Sequence, residues 1–178
     1  MRSDQEKEYT AYVSGRLHHL HRTAYLLCGD THRADDIVQA TLTALYVQWK
    51  RVTAADNVDG YVHKILIRRY LDERRLRWAR VRLGETPAHV ASVEAAERGI
   101  VERDELITAL RALPKGQRAV VVLRYFGDLS VEATAEALKC SVGNVKSQCA
   151  RGLATLRAAL PPQGQVSTGQ GMRMDHDG

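Results

Sequence analysis

Asn144, Ser147, Gln148 and Arg151 recur at steps of three and four residues, so a helix carrying them presents all four on one face. Amide side chains can pair bidentately with adenine in the DNA major groove, and a guanidinium can read guanine or hold a phosphate. The opposite face of the same stretch is apolar: Val142, Val145, Cys149, Leu153, Leu156 and Leu160. Ser141 stands ahead of it as an N-cap, and the first-turn amides with the helix dipole can hold a phosphate. Lys146 lies off the reading face and suits a backbone contact. An ordinary amphipathic hairpin with a solvated polar face has the same periodicity. The charges from Ser141 to Arg157 are Lys146, Arg151 and Arg157, with no acid, and that favours a polyanionic partner.

A second basic block runs from Lys64 to Arg82, where Lys64, Arg68, Arg69, Arg74, Arg75, Arg77, Arg80 and Arg82 face only Asp72 and Glu73. Trp49 and Tyr61 flank the segment before it as candidate stacking partners for a base, although Trp49 also falls on an apolar stripe and reads more simply as core. Between the two blocks, Glu85 to Glu105 carries Glu85, Glu94, Glu97, Glu102, Asp104 and Glu105 against Arg98 and Arg103. This alternation predicts two nucleic-acid-facing units joined by a segment of opposite character.

The elements that must position these residues are helical almost throughout. Leu17, Leu20, Ala24 and Leu27 define a first helix that Gly29 ends. Asp30 or Thr31 caps a second, with the stripe Ala34, Val38, Leu42, Leu45 and Trp49. Residues 52–58 read as a loop, and a third helix from about Asp59 to Trp78 has Val62, Ile65, Leu66, Tyr70 and Leu76 as its apolar positions. Further on, Leu106, Leu110 and Leu113 share a face until Pro114 interrupts, and Val120, Val121, Leu123 and Leu129 continue the core. Ser130 caps a short helix with Val131, Thr134, Ala135 and Leu138, and Lys139-Cys140-Ser141 is the break before the longer one. A short helix, a tight turn and a longer helix form a helix-turn-helix pattern.

Bulk properties narrow the class. The chain's 178 residues allow one ordinary domain or two small ones, and 44% apolar residues suffice for packed cores. Its 26 Lys+Arg against 21 Asp+Glu give +5, a mild bias towards a polyanion. Cys28, Cys140 and Cys149 lack metal-ligand spacing and read as reduced thiols, with Cys28 and Cys149 expected to be buried. No metal ligand and no cofactor is expected, and His176 in the tail is assigned none. Nucleophile elbow, phosphate-cradling glycine loop and HExxH are missing, and His18, His19 and His21 read as polar surface without partners, so no catalytic residue is assigned. The start has no apolar signal segment and no stretch is long enough to span a bilayer, which predicts a cytoplasmic protein with no membrane insertion.

Leu113–Arg157, LPKGQRAVVVLRYFGDLSVEATAEALKCSVGNVKSQCARGLATLR, resembles region 4 of the extracytoplasmic-function sigma factors of bacterial RNA polymerase. Ala34–Val52 and Tyr61–Arg77 resemble region 2 of the same family, in the family's order. The resemblance implies an all-α fold of two small helical domains: region 2 over 8–82, a flexible acidic linker over 83–102 and a region 4 helix-turn-helix over 103–160. The Gly-, Gln- and Pro-rich tail 161–178 is expected to be disordered. The implied activity is non-catalytic: binding core RNA polymerase and directing promoter-specific initiation.

Asp35, Asp36, Gln39 and Leu42 fall where the family docks on the clamp of the largest polymerase subunit. Early carboxylates also stabilise a helix dipole, and that alternative stays open for Asp35 and Asp36. Region 4 is implied to meet the flap of the second-largest subunit. Lys50, Arg51, Asn57, Tyr61, Lys64, Arg68, Arg69 and Arg75 fall where the family holds the melted −10 element, and Ser141, Asn144, Lys146, Ser147, Gln148 and Arg151 where it reads the −35 element. An anti-sigma protein is a common family partner. Arg68 stands where relatives often carry Asn, Lys139 where they carry Gly and Gln148 where they carry Arg, so promoter preference does not transfer. A helix-turn-helix regulator that binds DNA without polymerase is the alternative reading.

Overall fold

In the computed structural model, residues 2–84 and 101–160 are described. Every regular element among them is a helix: α1 (Arg2–Cys28), α2 (Thr31–Val47), α3 (Trp49–Thr53), α4 (Val58–Arg82), α5 (Val101–Ala112), α6 (Lys115–Tyr125), α7 (Val131–Leu138) and α8 (Val142–Ala159). The tail, and the linker apart from its ends, lie outside the described residues.

Local chemistry sets the boundaries. Gly29 adopts φ +69° after α1, a conformation that costs an L side chain energy. Asp30 then accepts a hydrogen bond from the Arg33 amide at 2.8 Å and starts α2. Asn57 caps α4 in the same way, accepting from the Gly60 amide at 2.8 Å. The expected single second helix is broken at Gln48, and Trp49–Thr53 forms the separate turn α3, so the loop begins only after Thr53. Leu76, expected as core, is 61% exposed, because the far half of α4 runs past the packed body.

The first half packs α2 and α4 against α1. Leu20, Ala24 and Leu27 meet Ile37, Leu45, Val62 and Leu66 in one buried cluster. Burial of α4 extends almost all round, taking in Val62, His63, Ile65, Leu66, Ile67 and Tyr70. A helix buried on two sides needs two partners. The second partner is the other half of the chain: α6 packs on α1 and α7 on α4, and Leu110, Leu123 and Leu129 join the same cluster. Arg22 on α1 lies over the Phe126 ring at 5.3 Å, and Lys64 on α4 pairs with Glu136 on α7.

The second half keeps a small core of its own from Val120, Ala135 and Val145. Gly152 allows α8 to approach α6, since a Cβ there would stand 2.8 Å from a Val121 methyl. Lys139 sits at φ 53°, ψ 48°, the left-handed conformation expected where relatives use Gly. That conformation costs a non-glycine residue about 1–2 kcal/mol. Lys139→Gly should therefore stabilise the chain by about 1 kcal/mol, after the extra unfolded-state freedom of Gly is subtracted. For a protein of this size thermal melting should show a rise of about 2–4 °C.

Candidate nucleic-acid interfaces

Ser141 sets the start of the first candidate surface. Its hydroxyl accepts from the Asn144 amide at 3.0 Å, so α8 begins there. With that start, Val145 points inward at 0% exposure and Gly152 and Leu156 follow it. Asn144, Lys146, Ser147 and Arg151 are exposed on the other side. Gln148 is half-buried, its amide lying near Gly116 at the start of α6. The Ser147 hydroxyl donates to the Asn144 carbonyl at 3.1 Å, which leaves its lone pairs outward. Val142, expected on the apolar line, is 36% exposed, as befits a first-turn residue. Cys149 is half-buried rather than fully buried. Among the described residues this outer row carries no carboxylate, so the first turn and Arg151 present uncompensated positive potential.

The second candidate surface lies along α3 and α4. Lys50, Arg51, Arg68 and Arg75 are exposed. Tyr61 is half-buried and its hydroxyl donates to the Gln48 Oε1 at 3.4 Å, across the break between α2 and α3. Three candidates have partners within the chain. Asn57 is occupied by capping α4, Arg69 lies 3.7 Å from Asp72 and Lys64 is held by Glu136. Trp49 is core, 7% exposed and edge-on to Tyr9 at 5.5 Å, so it offers no free stacking face.

Asp35, Asp36 and Gln39 are exposed together on α2, with Leu42 half-buried beneath them. Asp35 accepts from the His21 Nε2 at 2.8 Å, so His21 has a partner that the sequence did not reveal. The Leu42 carbonyl accepts the Tyr9 hydroxyl at 3.0 Å. This links α1 to the helix bearing the acidic pair.

Several structural anchors escaped sequence reasoning. Arg33 and Glu73 form a bidentate pair at 2.9 and 2.7 Å, tying α2 to α4. Tyr12 donates to Asp59 at 2.7 Å and Arg16 joins the same carboxylate, fixing the start of α4 on α1. Burial, then the Asp59 carboxylate, pushes the Tyr12 phenol well above its usual range. Burial also pushes the Cys28 thiol up, which suits an inert core cysteine. No group of three or more His, Cys, Asp or Glu able to hold a metal occurs among the described residues, and no helix there is long and apolar enough to cross a membrane.

His63 lies where the two halves meet. Its Nδ1 is 2.8 Å from the Asp59 carbonyl, its ring meets His19 edge-on at 5.5 Å, and Gly127 leaves room for it. Burial pushes its pKa below 6.5, and nearby His19 and Arg16 push the same way, against the Asp59 carbonyl and carboxylate. The unfolded chain therefore binds the proton first as pH falls, and stability drops from about pH 6.5 down to the folded pKa. Above that window the contribution is complete. His63→Asn should flatten this part of the pH dependence, read as the difference in urea midpoint from the parent between about pH 7.5 and pH 5.5.

Comparison with known proteins adds identity to this geometry. Residues 13–80 match the family Sigma-70 region 2, and residues 103–156 match Sigma-70, region 4. The RNA polymerase sigma-E factor of Streptomyces avermitilis is 36% identical over 157 residues, covering 86% of this chain and 85% of that one. The ECF RNA polymerase sigma factor SigM of Mycobacterium tuberculosis is 31% identical over 183 residues, covering 97% and 90%. The fold is shared with the sigma factor RpoE from Bartonella quintana, solved in complex with the anti-sigma factor NepR, at a TM-score of 0.75 and 22% identity over 86% of this chain and 96% of that one. The chain belongs to the extracytoplasmic-function sigma factors of RNA polymerase.

Proposed function

We propose that this chain binds core RNA polymerase and directs it to promoters, residues 8–82 engaging polymerase and the −10 element and residues 103–160 the −35 element. The observation that carries this reading is the presence, in one chain and in order, of both sigma regions. A DNA regulator working without polymerase needs only the second.

Under this reading α8 enters the major groove, Asn144, Gln148 and Arg151 reading base edges while Ser141, Lys146 and Ser147 hold backbone. Lys50, Arg51, Arg68 and Arg75 follow the phosphates of the separated strand, and Tyr61 supplies an aromatic edge. Lys64, Arg69 and Asn57 join them only by exchanging their present partners. Asp35, Asp36, Gln39 and Leu42 dock on the clamp of the largest subunit, and the second half meets the flap of the second-largest. The linker over 83–102 lets the two DNA contacts act together, each raising the effective concentration of the other. The role involves no catalytic residue, belongs in the cytoplasm where polymerase and DNA are, and leaves room for an anti-sigma partner. Such a partner is present in the Bartonella quintana complex.

Run-off transcription with core polymerase and a promoter library tests this. Initiation at a defined set of promoters, absent with core alone, is the expected result. Core binding without initiation on any promoter would defeat the reading, and DNA binding without core binding would favour the polymerase-free regulator.

A further inference from the structure

Cations converge where α4 meets α6. A cavity of about 260 Å³ is lined by Arg33, Arg74, Arg77, Lys115 and Arg118, with Trp78 at its side. Arg33 is neutralised by Glu73. The other four form no ion pair with any described residue. Arg74 lies 6.0 Å from the Tyr70 ring centre and Lys115 lies 5.6 Å from that of Trp78, so both rest on aromatic faces. Arg118 reaches only carbonyl oxygens, those of Leu27, Arg111 and Leu113, and its Nε is buried without a hydrogen-bond partner among the described residues. Lys115 also opens α6, whose N-cap Pro114 provides no side-chain acceptor, so the positive end of that helix dipole faces the same region.

Four cations without an ion-pair partner among the described residues, and a helix N-terminus, repel one another across a confined space. Such a cleft focuses the field and concentrates anions. Planar guanidinium groups match phosphate oxygens bidentately, and an ammonium adds a point charge. The lining is dominated by cations, which favours a highly charged anionic occupant.

We infer that the cavity between α4 and α6 is a binding site for a small oligophosphate anion, as carried by nucleoside di- and triphosphates or by free inorganic triphosphate. Lys115 and Arg118 lie outside both basic blocks, and Arg74 and Arg77, though part of the first, are not among the residues proposed above to hold the −10 element. Because Arg74 and Arg77 come from the first half and Lys115 and Arg118 from the second, a bound anion holds the halves together.

Calorimetric titration of the full-length chain with inorganic triphosphate, and separately with ATP and GTP, tests the site at constant ionic strength with sulfate as the competing control. Saturable binding at one site is expected, together with a rise in melting temperature on adding ligand. The double variant R77A/K115A should weaken binding at least ~10-fold, the loss of about 1.4 kcal/mol that removing two charge-assisted contacts readily exceeds. Arg80→Ala, on an exposed residue of α4 outside the cavity, should bind like the parent. Tighter binding of the nucleotides than of triphosphate identifies a nucleotide as the occupant, and equal binding identifies the phosphate chain alone. Absence of saturable binding, equal weakening by Arg80→Ala, or displacement by sulfate at matched ionic strength overturns the proposal. Melting of R77A/K115A without ligand checks that a lost signal comes from the site and not from unfolding.

Discussion

Alanine at Asn144, Gln148 and Arg151 together is expected to lower initiation from −35-dependent promoters by more than ~100-fold while core polymerase binding stays unchanged. Each good bidentate base contact contributes about 1–3 kcal/mol of discrimination, and every 1.4 kcal/mol is about a factor of ten. Coupling among neighbours reduces the sum, so about two such contacts set the estimate. The fold should survive, because the inner face of α8 is Val145, Gly152 and Leu156 and none of these changes. Run-off yield with a pull-down of core polymerase separates the two effects. Arg151→Ala alone should also reduce the salt dependence of DNA binding if that side chain holds a phosphate, and leave it unchanged if it reads a base.

Leu66→Ala is the substitution expected to harm the fold most. Leu66 is 0% exposed in the middle of α4, inside the cluster shared by both halves. Large-to-small changes at such positions destabilise by about 2–5 kcal/mol, out of a total stability of about 5–15 kcal/mol. The melting temperature should fall by about 4–20 °C at the usual ~2–4 °C per kcal/mol for this chain length. Arg75→Ala is the contrasting variant on the same helix. Its side chain is exposed, so melting should be unaffected while binding to a single-stranded −10 oligonucleotide weakens. Comparing the two separates the role of α4 as core from its role as a basic track.

The features read correctly from sequence are those whose causes are local. Ser130, Ser141 and Asp30 each bond an amide three residues on, and a cap of that kind is visible in a short window. The left-handed turn at Lys139 needed only the comparison of one residue with the glycine usual in the family. Exposure of Asn144, Ser147 and Arg151 follows from helical period once Val145 is known to be inside, whereas the half-burial of Gln148 near Gly116 is a tertiary contact. What was missed has long-range causes. Arg33 with Glu73, Tyr12 with Asp59 and Lys64 with Glu136 join residues far apart in the chain, and no periodicity marks such pairs. The break of α2 at Gln48 was hidden because Trp49 continues the apolar spacing although it already belongs to α3. Leu76 was misread because α4 keeps an apolar residue where it has already left the core.

The all-round burial of α4 bears on how the protein can be divided. In a polypeptide ending at Gly84, α1, α2 and α4 retain their mutual packing, but nothing replaces Gly127 beside His63 or α7 against α4. The same surface is uncovered during synthesis, because the ribosome delivers α4 well before α6 and α7. The N-terminal half thus spends its first moments with an adhesive flank, and an isolated half should self-associate in sedimentation while the full-length chain does not.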